Sequence, residues 1–144
     1  MALARQKNRE LIFQMLFSLS YDMSEDEHLI ALMMKQLRIT KNSANEALAY
    51  CKKILLKDKF LDEKISLVSN EYALDRIAKV EYTVLHLAIY EIFFEKDMPF
   101  KVTITEAIRL TKKFATKESA NFINAILDAV YKLEFGVKLE NISK

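Results

Sequence analysis

The amino-acid sequence predicts an all-α protein, on the strength of three observations. The chain has 144 residues but only one glycine and one proline, whereas sheets need turn residues at most strand connections. Apolar residues recur at helical spacing along most of the chain. Three Ser/Thr-x-x-Glu capping boxes, a pattern that begins helices, start at Ser24, Ser43 and Thr103. We therefore expect about seven helices in two small bundles that share the first helix, within one domain over residues 1–144.

Four helical patterns occupy the first half of the chain. The first covers residues 4–20; its first two turns are polar, so we expect that end to project beyond the core. The second follows Ser24 and the third follows Ser43, each after a capping box. The fourth follows Asp58 and has apolar residues on one face as far as Tyr72.

The second half contains the most apolar segment, residues 77–95, which is predicted to be a central helix. Pro99 ends this segment, because the residue before a proline is pushed out of the helical region. A sixth helix is predicted from Thr103, and a break at residues 116–118 separates it from the last helix. Gly136 suits the position that follows a helix.

The composition argues against an enzyme. A single cysteine, Cys51, excludes an internal disulfide and a cysteine-based metal site, and its apolar-periodic position indicates a core residue. The two histidines, His28 and His86, form no metal-binding pattern, and one glycine cannot build a phosphate loop. We therefore expect no catalysis, cofactor or metal. No signal peptide or membrane span is visible, which predicts a cytoplasmic protein.

The basic residues near the N-terminus are the strongest binding candidates. Arg5 and Arg9 are four residues apart and share a helix face, with Lys7 nearby. Cations at a helix N-terminus oppose the macrodipole, so local structure does not favour them. By itself the pattern fits RNA contact and solubilising charge equally well. A second basic group, around the end of the sixth helix, is explained adequately by the dipole: Arg109, Lys112, Lys113 and Lys117.

Several segments resemble the NusB family in order and spacing. They are residues 88–91 (AIYE), 98–102 (MPFKV), 112–114 (KKF) and 122–128 (FINAILD), with a looser match at residues 5–10 (RQKNRE). The resemblance is strong over residues 77–131, moderate over residues 4–21 and only topological between residues 22 and 70.

The resemblance implies an all-helical transcription antitermination factor. NusB proteins bind boxA-type single-stranded RNA of ribosomal RNA leaders together with NusE, a small-subunit ribosomal protein, in an RNA polymerase antitermination complex. By this resemblance the RNA-binding residues are Arg5, Lys7 and Arg9, extended by Lys113, Lys117 and Phe122. NusE is expected to contact Phe17 and Glu81. Phe17 and Phe122 also fit a core role, Glu81 also fits a helix-start acid, and a homodimer is a further expectation.

This chain departs from the family pattern at three positions. Ala115 and Ala125 replace glycines, and His86 stands where an arginine is common. One other function remains open, an adaptor that acts through protein contacts without RNA. A NusB-like domain also occurs at the front of some RNA cytosine methyltransferases, but 144 residues leave no room for a catalytic domain, so we expect the free-standing factor.

Overall fold

In the computed structural model, residues 4–21, 25–69 and 74–136 are described. Within these ranges the chain forms seven α-helices, one short 3₁₀ helix and no strand, which confirms the predicted fold class. The α-helices are α1 (Arg5–Tyr21), α2 (Asp26–Leu37), α3 (Lys41–Leu55), α4 (Asp58–Val68), α5 (Lys79–Phe94), α6 (Phe100–Phe114) and α7 (Lys117–Phe135). The 3₁₀ helix, Leu74–Arg76, precedes α5.

The chain divides into two compact units, an N-terminal unit (Met1–Leu56) and a C-terminal unit (Lys57–Lys144). Helix α1 belongs to the N-terminal unit, where it packs with α2 and α3. The sharing of this helix by two bundles, and a single domain over residues 1–144, stay predictions.

In the N-terminal unit, α3 packs against both α1 and α2. Leu11 and Met15 of α1 are fully buried, as is Ala44 of α3. Cys51 is also fully buried, and its thiol donates a hydrogen bond of 3.4 Å to the carbonyl oxygen of Ile12. Burial raises the pKa of the Cys51 thiol to about 12. The cysteine is therefore a core residue, as its position in the sequence predicts.

In the C-terminal unit, α5 contacts α4, α6 and α7. Every residue from Thr83 to Glu91 is buried, so the apolar segment is the central helix that its composition predicts. Helices α6 and α7 form the most extensive contact of the unit. The core stripe of α7 is formed by Ala120, Ile123, Ile126, Leu127 and Val130.

Two of the three predicted capping boxes are wrong, because an earlier residue caps each helix. Thr40 precedes α3, and its hydroxyl oxygen accepts a 3.1 Å hydrogen bond from the backbone N–H of Ser43, which is buried inside the helix. Pro99 precedes α6 with φ −64° and ψ 140°, and Thr103 is buried within that helix. Proline suits a helix start because its missing N–H would have no intrahelical partner there. The third box begins at Ser24, which lies outside the described residues.

The connection before α7 is shorter than predicted. Thr116 caps α7 by accepting a 3.0 Å hydrogen bond from the backbone N–H of Ser119, so Lys117 is the first helical residue. Gly136 ends α7 with φ 58°, and its N–H donates to the carbonyl oxygen of Lys132 at 2.7 Å, which confirms the predicted stop. Tyr72 and the tail after Gly136 lie outside the described residues.

Candidate nucleic-acid and partner interfaces

The polar start of α1 divides into exposed and buried cations. Arg5 and Lys7 are exposed, and the first turn of α1 contains no acidic residue. Arg9 is only 8% exposed and takes part in interactions within the protein. The expectation that this whole segment projects from the core is therefore wrong at Arg9. The positive charge that solvent can reach at this helix start comes from Arg5 and Lys7.

The corner between α6 and α7 carries the second set of predicted RNA-binding residues. Lys113 and Lys117 are exposed, and the Lys113 ammonium lies 5.7 Å from the centre of the Phe114 ring. Lys113 belongs to the last turn of α6, where the helix dipole favours a cation. Lys117 is different, because it begins α7, and there the dipole disfavours a cation. The sequence-based explanation by the dipole therefore holds for Lys113 and is wrong for Lys117.

Phe122 lies on the flank of the buried stripe of α7. Its side chain is half-buried and interacts within the protein, whereas Ala125 on the same helix is exposed. The side chain thus interacts within the protein and also presents part of its surface to solvent. Since Ala125 is exposed, the methyl group that replaces the family's glycine meets solvent and not a packed interior.

Phe17 forms part of a row of aromatic rings along α1. Its ring centre lies 5.9 Å from that of Phe13 and 5.0 Å from that of Tyr21. Phe13 is 2% exposed, Phe17 is half-buried and Tyr21 is 64% exposed, so the row leads from the core to solvent. Aromatic residues at such a boundary are common in protein interfaces. The sequence singled out Phe17 but missed Tyr21.

Glu81 stabilises the start of its own helix. One of its carboxylate oxygens accepts a 3.2 Å hydrogen bond from the backbone N–H of Ala78, the residue before α5. The negative charge also lies in the first turn, where the helix dipole favours it. Glu81 is half-buried, so it keeps partial access to solvent. The helix-start role is therefore present, and a partner contact would be additional to it.

A polar cluster between α4 and α5 was not predicted from the sequence. His86 is 3% exposed, and its Nε2 lies 2.8 Å from Asp62, while its Nδ1 lies 3.6 Å from Asp58. The hydroxyl of Tyr82 donates a 2.6 Å hydrogen bond to the same oxygen of Asp62. In the sequence, the only indication of this cluster is the i, i+4 spacing of Asp58 with Asp62 and of Tyr82 with His86, which places each pair on one helix face.

This cluster has a structural explanation, because its hydrogen bonds join α4 to α5. Because a carboxylate only accepts hydrogen bonds, Asp62 receives one from the Tyr82 hydroxyl and one from the His86 ring. Burial, followed by the hydrogen bond to Asp62, raises the pKa of Tyr82 well above its ordinary value. Within the described residues, no group of three or more His, Cys, Asp or Glu side chains is arranged to hold a metal ion.

None of the helices in the described part of the chain combines the length and apolar character needed to cross a membrane.

Comparison with known proteins identifies relatives over nearly the whole chain. The NusB family model matches residues 6–132. The transcription antitermination protein NusB of Pseudothermotoga lettingae is 34% identical over 130 residues, covering 89% of this chain and 91% of the relative. The structure of T. maritima NusB superposes with a TM-score of 0.76 at 34% identity, covering 92% of this chain and 93% of the other.

A more distant similarity supports the fold alone. A structure of the antitermination factors NusB and NusE in complex with double-stranded RNA matches with a TM-score of 0.75 at 22% identity. The match covers 90% of this chain and 96% of the other chain.

Proposed function

The chain belongs to the NusB family, and from this we propose that it is a transcription antitermination factor. In this role it binds boxA-type single-stranded RNA in the leaders of ribosomal RNA operons together with NusE, and acts with the RNA polymerase antitermination complex in the cytoplasm. The family's curated relatives carry the name transcription antitermination protein. A solved structure of similar fold contains the antitermination factors NusB and NusE in complex with double-stranded RNA.

The observation that carries RNA binding is the exposed basic start of α1. Arg5 and Lys7 are exposed, and no carboxylate in the first turn of the helix neutralises them. Cations at this position are disfavoured by the helix dipole, so a polyanionic ligand supplies the missing reason for them. Arg9 contributes differently: its burial makes it a support of this segment and not a free contact for phosphate.

The exposed residues of the α6–α7 corner are a second candidate RNA contact, considered by itself. Lys117 resembles Arg5, since it is an exposed cation at a helix start, where the helix dipole disfavours positive charge. Lys113 supplies a further cation, and the half-buried Phe122 supplies ring surface of the kind on which unpaired bases stack.

For NusE we propose contacts at Phe17 and Glu81, each in its own unit. The partly exposed row of rings that contains Phe17 fits an apolar contact, and Tyr21 extends it. Glu81 can accept a hydrogen bond from a basic residue of a ribosomal protein while it keeps its bond to the Ala78 N–H. A homodimer stays a prediction.

The direct test is binding of a boxA-type RNA oligonucleotide by the purified chain, with and without NusE. We expect binding by the chain alone, tighter binding with NusE present, and weaker binding of a scrambled oligonucleotide of equal length. If NusE binds and neither RNA does, the chain is an adaptor that acts only through protein contacts. If neither NusE nor RNA binds, the proposed function is wrong.

The partner face is tested by Glu81→Lys. The control is Glu118→Lys, which changes an exposed carboxylate in the first turn of another helix. We expect Glu81→Lys to abolish or strongly weaken NusE binding and to leave RNA binding by the free protein largely unchanged. The control should keep NusE binding. Wild-type affinity of a folded Glu81→Lys protein for NusE would exclude Glu81 from the interface.

A further inference from the structure

The solvent face of α6 carries charge of one sign. Its exposed charged residues are the lysines Lys101, Lys112 and Lys113. The one carboxylate of the helix, Glu106, is 7% exposed and accepts hydrogen bonds of 3.0 and 3.1 Å from the guanidinium of Arg109. Surface helices commonly interleave both signs of charge. The exposed face of α6 is therefore positive without a carboxylate to balance it.

Two of these lysines share one line along the helix. Lys101 and Lys112 are eleven residues apart, which places them within about 20° of each other around the axis and about 16 Å apart along it. Exposed Thr105 lies between them on nearly the same line. Neither lysine has an ion-pair partner among the described residues. The two ammonium groups are thus available to a ligand on the same side of α6.

The helix dipole accounts for only one of the two lysines, Lys101 and Lys112. Lys112 lies in the last turn of α6, where the dipole favours a cation. Lys101 is the second residue of the same helix, where the dipole disfavours it and no acidic residue of the first turn compensates. A ligand that presents negative charge at intervals along its length would stabilise both lysines at once.

We propose that Lys101 and Lys112 form a ridge along α6 that contacts phosphates of one single-stranded RNA that are separated by at least one further phosphate. The inference rests on the proposed RNA-binding function and extends it to two lysines to which the resemblance assigns no RNA-binding role. Lysines act on phosphates as point charges, so this ridge positions the RNA backbone and does not read its sequence. It adds affinity for any single strand long enough to follow the helix.

The test is the salt dependence of RNA binding by the double variant Lys101→Ala/Lys112→Ala. The control is Lys59→Ala/Lys96→Ala, which removes the same charge from exposed positions outside α6 in the same unit. For single strands, each lost phosphate contact reduces the slope of log K against log salt by about 0.7. We expect the slope to fall by about 1.4 in the ridge variant and hardly at all in the control, with both proteins folded by circular dichroism.

The results of this experiment distinguish failure of the ridge from failure of the proposed function. Equal loss of affinity for the boxA-type and the scrambled oligonucleotide supports a backbone-contact ridge. A slope no different from that of the control, in a protein whose RNA binding still depends on Arg5 and Lys7, overturns the ridge and leaves the function intact. Loss of NusE binding with unchanged RNA binding would make α6 a protein contact and would also overturn the ridge. If the wild-type chain binds no RNA, both proposals fall.

Discussion

Arg5 and Arg9 show how burial separates residues that the sequence groups together. Their spacing correctly predicts a shared helix, but only Arg5 is exposed, while Arg9 is 8% exposed and engaged within the protein. Helical periodicity gives the direction of a side chain around its own axis; it does not give the tertiary contacts that cover it. The helix-start role of Glu81 could be predicted, because its hydrogen bond to the Ala78 N–H lies within its own helix start and depends on no tertiary contact.

At the residue scale, Phe17 is the position where core and interface roles can be separated. Phe13 is the matched control, since it neighbours Phe17 on the same helix and is 2% exposed. We expect Phe13→Ala to lower the free energy of unfolding by about 3–5 kcal/mol. Because Phe17 is half-buried, Phe17→Ala should cost about half as much and should also weaken NusE binding. Denaturant unfolding and a NusE titration measure the two effects. A stability loss equal to that of Phe13→Ala, with NusE binding unchanged, would make Phe17 a core residue.

At the scale of the element, helix interiors were predictable, whereas the starts of α3 and α6 were not. The central apolar segment, the stripe of α7 and the stop at Gly136 follow from local composition and were predicted correctly. Ser43 and Thr103 match the capping-box pattern, yet both lie inside helices. The pattern fails because the helices start about one turn earlier, α3 through the side-chain cap of Thr40 and α6 at Pro99, which makes no side-chain cap. A capping sequence does not exclude an earlier start.

The cap of α3 gives a test of these boundaries. Thr40→Ala removes the acceptor of the Ser43 N–H and should lower the free energy of unfolding by about 1 kcal/mol. Asn45→Ala is the control, because Asn45 is an exposed residue inside the same helix and alanine is the better helix former. Urea denaturation compares the two variants. A smaller loss for Thr40→Ala than for Asn45→Ala would contradict the assigned helix start.

The polar cluster between α4 and α5, formed by Asp58, Asp62, Tyr82 and His86, predicts a raised pKa for Asp58. Burial raises the pKa of this carboxyl above 3.8; the charge of His86 opposes the shift and the negative charge of Asp62 adds to it. A carboxyl whose folded pKa is raised contributes stability below its ordinary pKa, and that contribution is lost as pH rises through the raised value. Carbon-detected NMR should therefore give a midpoint above 3.8 for Asp58, and Asp62→Asn should lower it. A wild-type midpoint at or below 3.8 would contradict this arrangement.

At the scale of the whole molecule, composition predicted the fold class better than it predicted binding. A net charge of +2 gives little indication of a nucleic-acid ligand. The charge to which we assign RNA binding is local, in exposed cations at helix starts such as Arg5, Lys7 and Lys117. The order of motifs in the second half of the chain indicated the NusB family, and the relatives confirm it. His86 could not be interpreted from the sequence, because its partners on α4 are 24 and 28 residues away.

The salt dependence of boxA-type RNA binding by Arg5→Ala/Lys7→Ala tests the central claim most directly. The control, Lys35→Ala/Lys53→Ala, removes the same charge from exposed positions in the same unit. If the two cations at the start of α1 contact phosphates, the slope of log K against log salt should fall by about 1.4 and the affinity should fall with it. The control should retain nearly the wild-type slope. An unchanged slope and affinity in a folded Arg5→Ala/Lys7→Ala protein would contradict the assignment of this helix start to RNA.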